Sequence, residues 1–217
     1  MSTLLAPRRN RQGATDARRA VLASRGRFWE PGDLALTPST AHHLLGELEA
    51  RGELRRVRRA HPWVGPIDLA MLRRALRLAA RAARRGEVPV GAVVYRGREV
   101  IAEAANDREA TGDPTGHAEV VALREAGRRL GAWRLSGTRL AVTLEPCPMC
   151  AGALVNARVD HLVFSAYDPK AGACGTLFEI PCDERLNHRL LVAGGVYKAR
   201  AVRQLRRFFG ARRRRSS

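Results

Sequence analysis

Long apolar runs are missing from this sequence. Its most apolar helical stretch, Leu69 to Ala83, is interrupted by Arg73, Arg74, Arg77 and Arg81, whereas a membrane-spanning helix needs about 18 or more apolar residues in succession. No membrane partner is therefore expected. The opening MSTLLAPRRNRQ carries too short an apolar segment ahead of its arginines for a secretory signal, so the expected compartment is the reducing cytoplasm. Cysteine is scarce, at four residues; in that compartment a disulfide framework is excluded and a Cys-x-x-Cys pair points to metal or redox chemistry. Lysine is scarcer still, with Lys170 and Lys198 the only two. Acidic residues number 21 against 39 basic ones, a formal charge of +18. That excess favours an acidic polymer, most naturally nucleic acid, as partner, although a GC-rich coding sequence also enriches arginine.

A chain of 217 residues suffices for one large domain, or for one of about 150 residues with a smaller neighbour. The pattern favours the second. Residues 1–15 are polar, basic and without periodicity, and read as a disordered lead-in. In residues 16–65, Val21 and Leu22 suit a short helix, and Thr37-Pro38-Ser39 opens a second with Ala41, Leu44, Leu45 and Leu48 on one face. ELRRVRRAHPWV then reads as a basic strand or hairpin arm. This order resembles a winged helix-turn-helix module, and its arginines make it a candidate for DNA or RNA contact.

From Ile67 the layout is that of a different domain. It predicts a helix over Asp68 to Arg85, a hairpin from VPVGAVVY and REVIAEAAN, and a helix through HAEVVALREAGRRLG. A strand RLAVTLE, a helix from about Pro148 to Ala157, and strands at VDHLVFSA and around LLVAGGVY follow. A last helix carries Leu205, Phe208 and Phe209. Such alternation predicts a three-layer α/β domain on a central mixed sheet over residues 67–210, with 211–217 as a basic tail.

The chemistry concentrates in two stretches. In LEPCPMCAG, Cys147 and Cys150 sit at a helix start, with Pro146 ending the strand and Pro148 in the first helical turn, where its missing N–H costs nothing. Unpaired N–H groups and the helix dipole favour thiolate there, the form that binds metal. Catalytic zinc takes three protein ligands and leaves a position for water. In DPTGHAEVVALRE, His117, placed in the first turn of its helix, is the candidate third ligand, and Glu119 two residues on is the candidate proton carrier. His-x-Glu alone is weak, expected by chance roughly 0.4 times in such a chain. Pro-Cys-x-x-Cys is far rarer, of order 0.003. The two in this order match the signature of zinc-dependent base deaminases.

A family resemblance extends beyond these two motifs. EVPVGAVV, DPTGHAEVVALREA, WRLSGTRLAVTLEPCPMCAGALVNARV, FSAYDPKAGACGTL and RLNHR, spread over residues about 67–210, resemble the tRNA-specific adenosine deaminase family within the cytidine deaminase superfamily. The resemblance implies a cytidine-deaminase-like fold and one zinc ion per subunit on His117, Cys147 and Cys150. Glu119 would activate the water that attacks carbon 6 of adenine, giving inosine at the wobble position of a tRNA anticodon, most naturally that of an arginine tRNA. It implies that Asn106 holds the nucleoside, that Asp168 and Lys170 lie on a loop along the RNA, and that Arg189, Phe208 and Phe209 extend the contact. A homodimer is also implied. Cys174 and Cys182 depart from the family pattern and read as incidental free thiols, because a fourth thiolate would close the zinc.

Two other functions compete. A deaminase of free guanine, cytosine or a nucleoside needs no basic surface, and a DNA-binding regulator would act through residues 16–65 with the deaminase domain secondary. Residues 1–65 hold twelve arginines and six carboxylates, a charge of +6, which leaves +12 on the remainder. A chain starting near Gly65 is expected to fold, bind zinc and keep its turnover. If Arg55, Arg56, Arg58 and Arg59 touch phosphates, its salt slope for tRNA or duplex DNA falls by about 0.7 to 0.9 per phosphate lost; an unchanged slope for both rejects a nucleic-acid role for the segment.

Overall fold

A computed structural model describes residues 63–215; the winged-helix expectation falls outside them. The first helix, α1 (Pro66–Arg84), begins with proline at its first position and Asp68 in its first turn. Its apolar residues Leu72, Ala75, Leu76, Ala79 and Ala82 recur at three- and four-residue intervals and are buried. Gly86, in the left-handed region at φ 84°, turns the chain out of it. Strands β1 (Gly91–Arg96) and β2 (Glu99–Ala105) form the expected hairpin. A four-residue helix α2 (Arg108–Thr111), helix α3 (Ala118–Leu130), strand β3 (Arg139–Leu144), helix α4 (Pro148–Asn156), strand β4 (His161–Ala166), strand β5 (Leu191–Ala193) and helix α5 (Lys198–Arg215) follow.

The strands make one sheet in the order β2-β1-β3-β4-β5. β1 is antiparallel to β2 and β3, whereas β3, β4 and β5 run parallel, so the sheet is mixed. Parallel neighbours require a crossover, and α4 supplies it between β3 and β4. Alternation along the strands sends two sets of side chains to opposite faces. Val93, Tyr95, Ala141 and Val163 meet Met71, Leu72, Ala75 and Leu78 of α1. Ala92, Val94, Leu140, Val142, Leu162 and Phe164 meet Ala118, Ala122 and Ala126 of α3 and Ala151 and Leu154 of α4. α5 joins α1's layer through Ala201, Leu205 and Leu76. The three-layer α/β expectation holds. No helix among the described residues is long and apolar enough to cross a membrane.

Three local expectations shift. His117 is the N-cap of α3 with extended backbone, one residue ahead of the first turn. β5 stops at Ala193 and does not run on to Tyr197, because Gly195 turns left-handed at φ 85° and Gly194 lies flush against the rings of Phe164 and Tyr167, where a Cβ has no room. The last helix continues to Arg215. Trp63 and Val64 pack on the α1 layer, so a truncated chain retains these contacts only if it starts ahead of Trp63.

Asp68 anchors this layer. Its carboxylate, 1% exposed, accepts from Tyr95 Oη at 2.6 Å, Gly65 N at 2.7 Å and Arg139 Nη1 at 2.9 Å. Burial alone would raise its pKa, but these donors outweigh it and hold the carboxyl below the ordinary 3.8. A depressed folded value means that the stabilisation is present above about 3.8 and is lost as pH falls through the lowered value. Tyr95→Phe is expected to cost about 1 kcal/mol and Asp68→Ala about 3 kcal/mol, the latter leaving buried donors unpaired. Urea unfolding at pH 7 and at pH 3 measures both; the penalty of Asp68→Ala should shrink at the lower pH.

Candidate active site

β3 and β4 run parallel, and the chain leaves their carboxyl ends at the same edge of the domain. At the end of β3 the chain turns through Glu145 and Pro146 into Cys147, the N-cap of α4, while Pro148 takes the first helical position and Cys150 the third. Across from it, a turn sets the entry to α3. Asp113 Oδ1 accepts from the Thr115 N–H and hydroxyl, both at 2.7 Å. Arg124 reaches back to Asp113 Oδ2 at 3.3 Å and Thr115 Oγ1 at 3.0 Å. The loop is thus stitched to the helix it opens, and His117 is aimed at α4.

His117 Nδ1 lies 3.6 Å from Cys147 Sγ and 3.4 Å from Cys150 Sγ, and the three ligand atoms fall within 4.8 Å of one another. A tetrahedral zinc with Zn–S of about 2.3 Å and Zn–N of about 2.0–2.1 Å has an S···N edge of about 3.6 Å. The residues present therefore fit zinc. Their protonation points the same way. The Cys147 thiol is pushed down to about 4, first by its hydrogen bond with Cys150 and further by His117, while Cys150 moves up because of its hydrogen bond with Cys147 and its burial. Zinc takes both sulfurs as thiolates, so its binding releases thiol protons. Glu119 is 4% exposed; burial, the largest cause, lifts its carboxyl to about 7, with the nearby His117 acting against the rise.

The other expected residues are distributed around this centre. Asn106 directly follows β2 and is buried. The N–H of Asp107 binds Gly116 O at 3.0 Å, which keeps the Asn106 segment beside the entry to His117. Asp168 and Lys170 lie on the loop after β4, with Asp168 Oδ1 accepting from Lys170 N at 2.9 Å. That loop returns to the cysteine turn, as Ala173 N binds Pro146 O at 2.9 Å. The end of α5 also approaches the site: Arg212 Nη2 lies 3.6 Å from Glu109 Oε1 of α2, and Phe208 and Phe209 stack edge to face with centroids 5.3 Å apart. Arg189 is exposed ahead of β5 and, among the described residues, makes no hydrogen bond or ion pair with these side chains. Cys174 and Cys182 are free thiols outside the three-ligand cluster.

Two carboxylates went unnoticed in the sequence. Glu87, fully buried, accepts from Asn106 Nδ2 at 2.9 Å and from Ala110 N at 2.8 Å, so it fixes the orientation of the Asn106 amide. Glu145, 2% exposed, accepts from the N–H groups of Asp168, Cys174 and Thr176 at 3.0, 3.1 and 3.0 Å and from the Thr176 hydroxyl. It shapes the whole 168–176 loop. Gly172 lies so close to this carboxylate that a Cβ has no room. The available signal was an acid inside otherwise apolar strand-end sequence, GEVPVG and TLEPC.

Known proteins bear on this geometry. Residues 66–166 match the cytidine and deoxycytidylate deaminase zinc-binding region. The tRNA-specific adenosine deaminase of Bacillus subtilis is 46% identical over 142 residues, 65% of this chain and 88% of that protein. The chain belongs to the tRNA-specific adenosine deaminase family. A solved structure from a study of A-to-I editing by tRNA:A34 deaminases at the wobble position superimposes with a TM-score of 0.61 at 38% identity, covering 63% of this chain and 99% of that one. A guanine deaminase from Nitrosomonas europaea gives a TM-score of 0.56 at 26% identity, over 68% of this chain and 86% of that one. With a zinc-binding family region and a fitting donor set, His117, Cys147 and Cys150 form a site for one zinc ion per chain.

Metal analysis is expected to find one zinc per chain, lost in Cys147→Ser or Cys150→Ser and retained in Cys174→Ser and Cys182→Ser. Zinc loss in either of the latter two would contradict the three-ligand site.

Proposed function

We propose that the protein deaminates adenosine to inosine at the wobble position of a tRNA anticodon. The observation that carries this reading is a buried carboxylate, Glu119, beside a three-ligand zinc site, in a chain sharing 46% identity with most of the length of a tRNA-specific adenosine deaminase.

Zinc, when bound, supplies a Lewis acid that brings a water molecule's pKa close to neutrality. The remaining work falls to side chains. Glu119, raised to about 7 by burial, is matched to take a proton from the attacking water and return it near neutral pH. It delivers that proton to N1 of the purine as carbon 6 is attacked, then assists the departure of ammonia. Asn106, its amide held by Glu87, positions the nucleoside. The 168–176 loop, shaped by Glu145, presents Asp168 and Lys170 to the flanking nucleotides. Phe208 and Phe209, at the end of α5 that reaches α2, offer ring faces for unstacked bases, which is how single-stranded RNA is commonly held. Arg189 adds charge on the 180–190 segment. Because the target base lies in an anticodon loop, extruding it avoids opening a duplex.

We further infer that the substrate is an arginine tRNA and that the protein works as a homodimer with RNA contacts from both subunits. Purified protein is to be incubated with an anticodon stem-loop carrying wobble adenosine, and separately with free guanine and cytidine, while inosine, xanthine and uridine are measured. Inosine from the stem-loop is expected; xanthine from guanine without inosine would identify a free-base enzyme. Glu119→Gln is expected to keep zinc and RNA affinity while losing deamination by several orders of magnitude. Activity within about tenfold of the parent would remove Glu119 from the mechanism.

A further inference from the structure

On the face of the sheet opposite the zinc site, α1 and α5 enclose a cleft of about 430 Å³ lined by Arg73, Arg77, Arg200, Arg203 and Gln204. All four guanidinium-bearing residues are exposed. The same helix shows how unusual this is. On its β2 side, Arg74 and Arg81 share Glu103. On its α5 side, Arg73 and Arg77 face Arg200 and Arg203, and among the described residues none of these four pairs with a carboxylate. Arg73 and Arg77 stand four residues apart and Arg200 and Arg203 three apart, so each helix carries a repulsive pair that destabilises it slightly. An arginine-rich composition accounts for many guanidinium groups, but not for an arrangement that supplies acid to one face of α1 and withholds it from the other.

Tyr197 contacts two of the cleft's arginines, Arg73 and Arg200. Its backbone is left-handed at φ 57°, a rare conformation for a bulky residue, and such strain tends to be retained at functional positions. Its hydroxyl accepts from Arg73 Nη1 at 2.7 Å, and its ring lies between the guanidinium groups of Arg73 and Arg200, at 5.9 and 5.3 Å. The tyrosine thus braces two cations that would otherwise splay into solvent. Gln204 Nε2 binds Leu76 O at 3.1 Å and ties the walls together. Braced, unneutralised guanidinium groups on two walls suit the oxygens of phosphate, which arginine contacts in bidentate fashion.

We propose that this cleft is a second RNA-binding site, which grips phosphodiesters of a tRNA outside its anticodon stem-loop. The identity of the polymer rests on the tRNA deaminase reading. The location follows from the layers: the cleft opens between α1 and α5 on one side of the sheet, and the zinc ligands are carried by α3 and α4 on the other. A stem-loop with its base in the zinc site reaches the far end of α5, where Phe208 and Phe209 lie near the contact with α2; the cleft lies at the start of α5, on its α1 side, where a whole tRNA has further arms to offer.

The test compares the full chain with Arg77→Glu/Arg203→Glu and with Arg77→Gln/Arg203→Gln. Affinities for whole tRNA, for the anticodon stem-loop and for duplex DNA are measured against salt. Zinc content and thermal midpoint confirm folding, which exposed arginines should leave unchanged. Whole-tRNA binding is expected to weaken about tenfold at low salt in the Glu variant and less in the Gln variant, with the salt slope falling by about 1.4 to 1.8 for two lost phosphate contacts. Stem-loop affinity and stem-loop turnover should stay within about twofold. Equal weakening for stem-loop and whole tRNA, no weakening for either, or a loss confined to duplex DNA would each overturn the proposal. The two readings fail separately: absence of inosine with the unaltered chain sinks the deaminase reading, while the cleft is judged on binding alone.

Discussion

His117 Nδ1 lies 3.6 and 3.4 Å from two cysteine sulfurs, and this approach of two helix starts constrains the rest of the domain. Both ligand elements begin at N-caps, His117 for α3 and Cys147 for α4, where free backbone N–H groups favour thiolate and the chain has just left extended geometry. To bring the caps together, both helices must sit close on the same face of the sheet. Alanines at 118, 122, 126 and 151, all fully buried, let the helix backbones do so. The parallel pairing of β3 with β4 then carries the Asp168 loop to the same edge, so the zinc-ligand residues, Glu119 and the 168–176 loop are brought together by one topological arrangement.

Buried acids divide the labour by environment. Asp68, Glu87 and Glu145 each accept two or more hydrogen bonds from backbone and side chains, which offsets the penalty of burying a polar group. They sit where one element turns into the next, at the start of α1, at the α1-to-β1 connection and at the β3-to-α4 turn, and they specify those corners. At Glu119 burial outweighs the hydrogen bonds from its backbone and Cys150 and raises the carboxyl to about 7. At Asp68 hydrogen bonding outweighs burial and favours the charge, whereas at Glu119 burial prevails and opposes it.

The positive charge is distributed with comparable selectivity. Arginines near Asp113, Glu103 and Glu125 are neutralised in local pairs, exposed contacts that contribute little stability individually. Those between α1 and α5 have no carboxylate partner among the described residues, and two of them lie against the Tyr197 ring, whose backbone is left-handed. A net charge of +18 is therefore less informative than where the compensating acids are absent.

The chemistry was legible in the sequence because it is local. Pro-Cys-Pro-Met-Cys and His-Ala-Glu each place metal-ligand residues within a few positions of a helix start, the second with Glu119 alongside, and proline and helix-dipole physics act at that range. The hairpin, α1 and the three-layer class were legible through apolar periodicity, which needs no knowledge of partners. Other features depended on contacts distant in the chain. β5 ends early because Gly194 meets Phe164, and His117 became an N-cap because its loop is tied to Arg124 and Asp107. Glu87 and Glu145 looked like ordinary acids until Asn106 and the 168–176 loop folded onto them. The arginine cleft draws its walls from helices more than a hundred residues apart in the chain. Short-range chemistry was set by residue type and spacing alone; which acids are buried, which arginines go unpaired and where a strand stops were decided by tertiary packing, because burial and pairing depend on what the fold brings alongside.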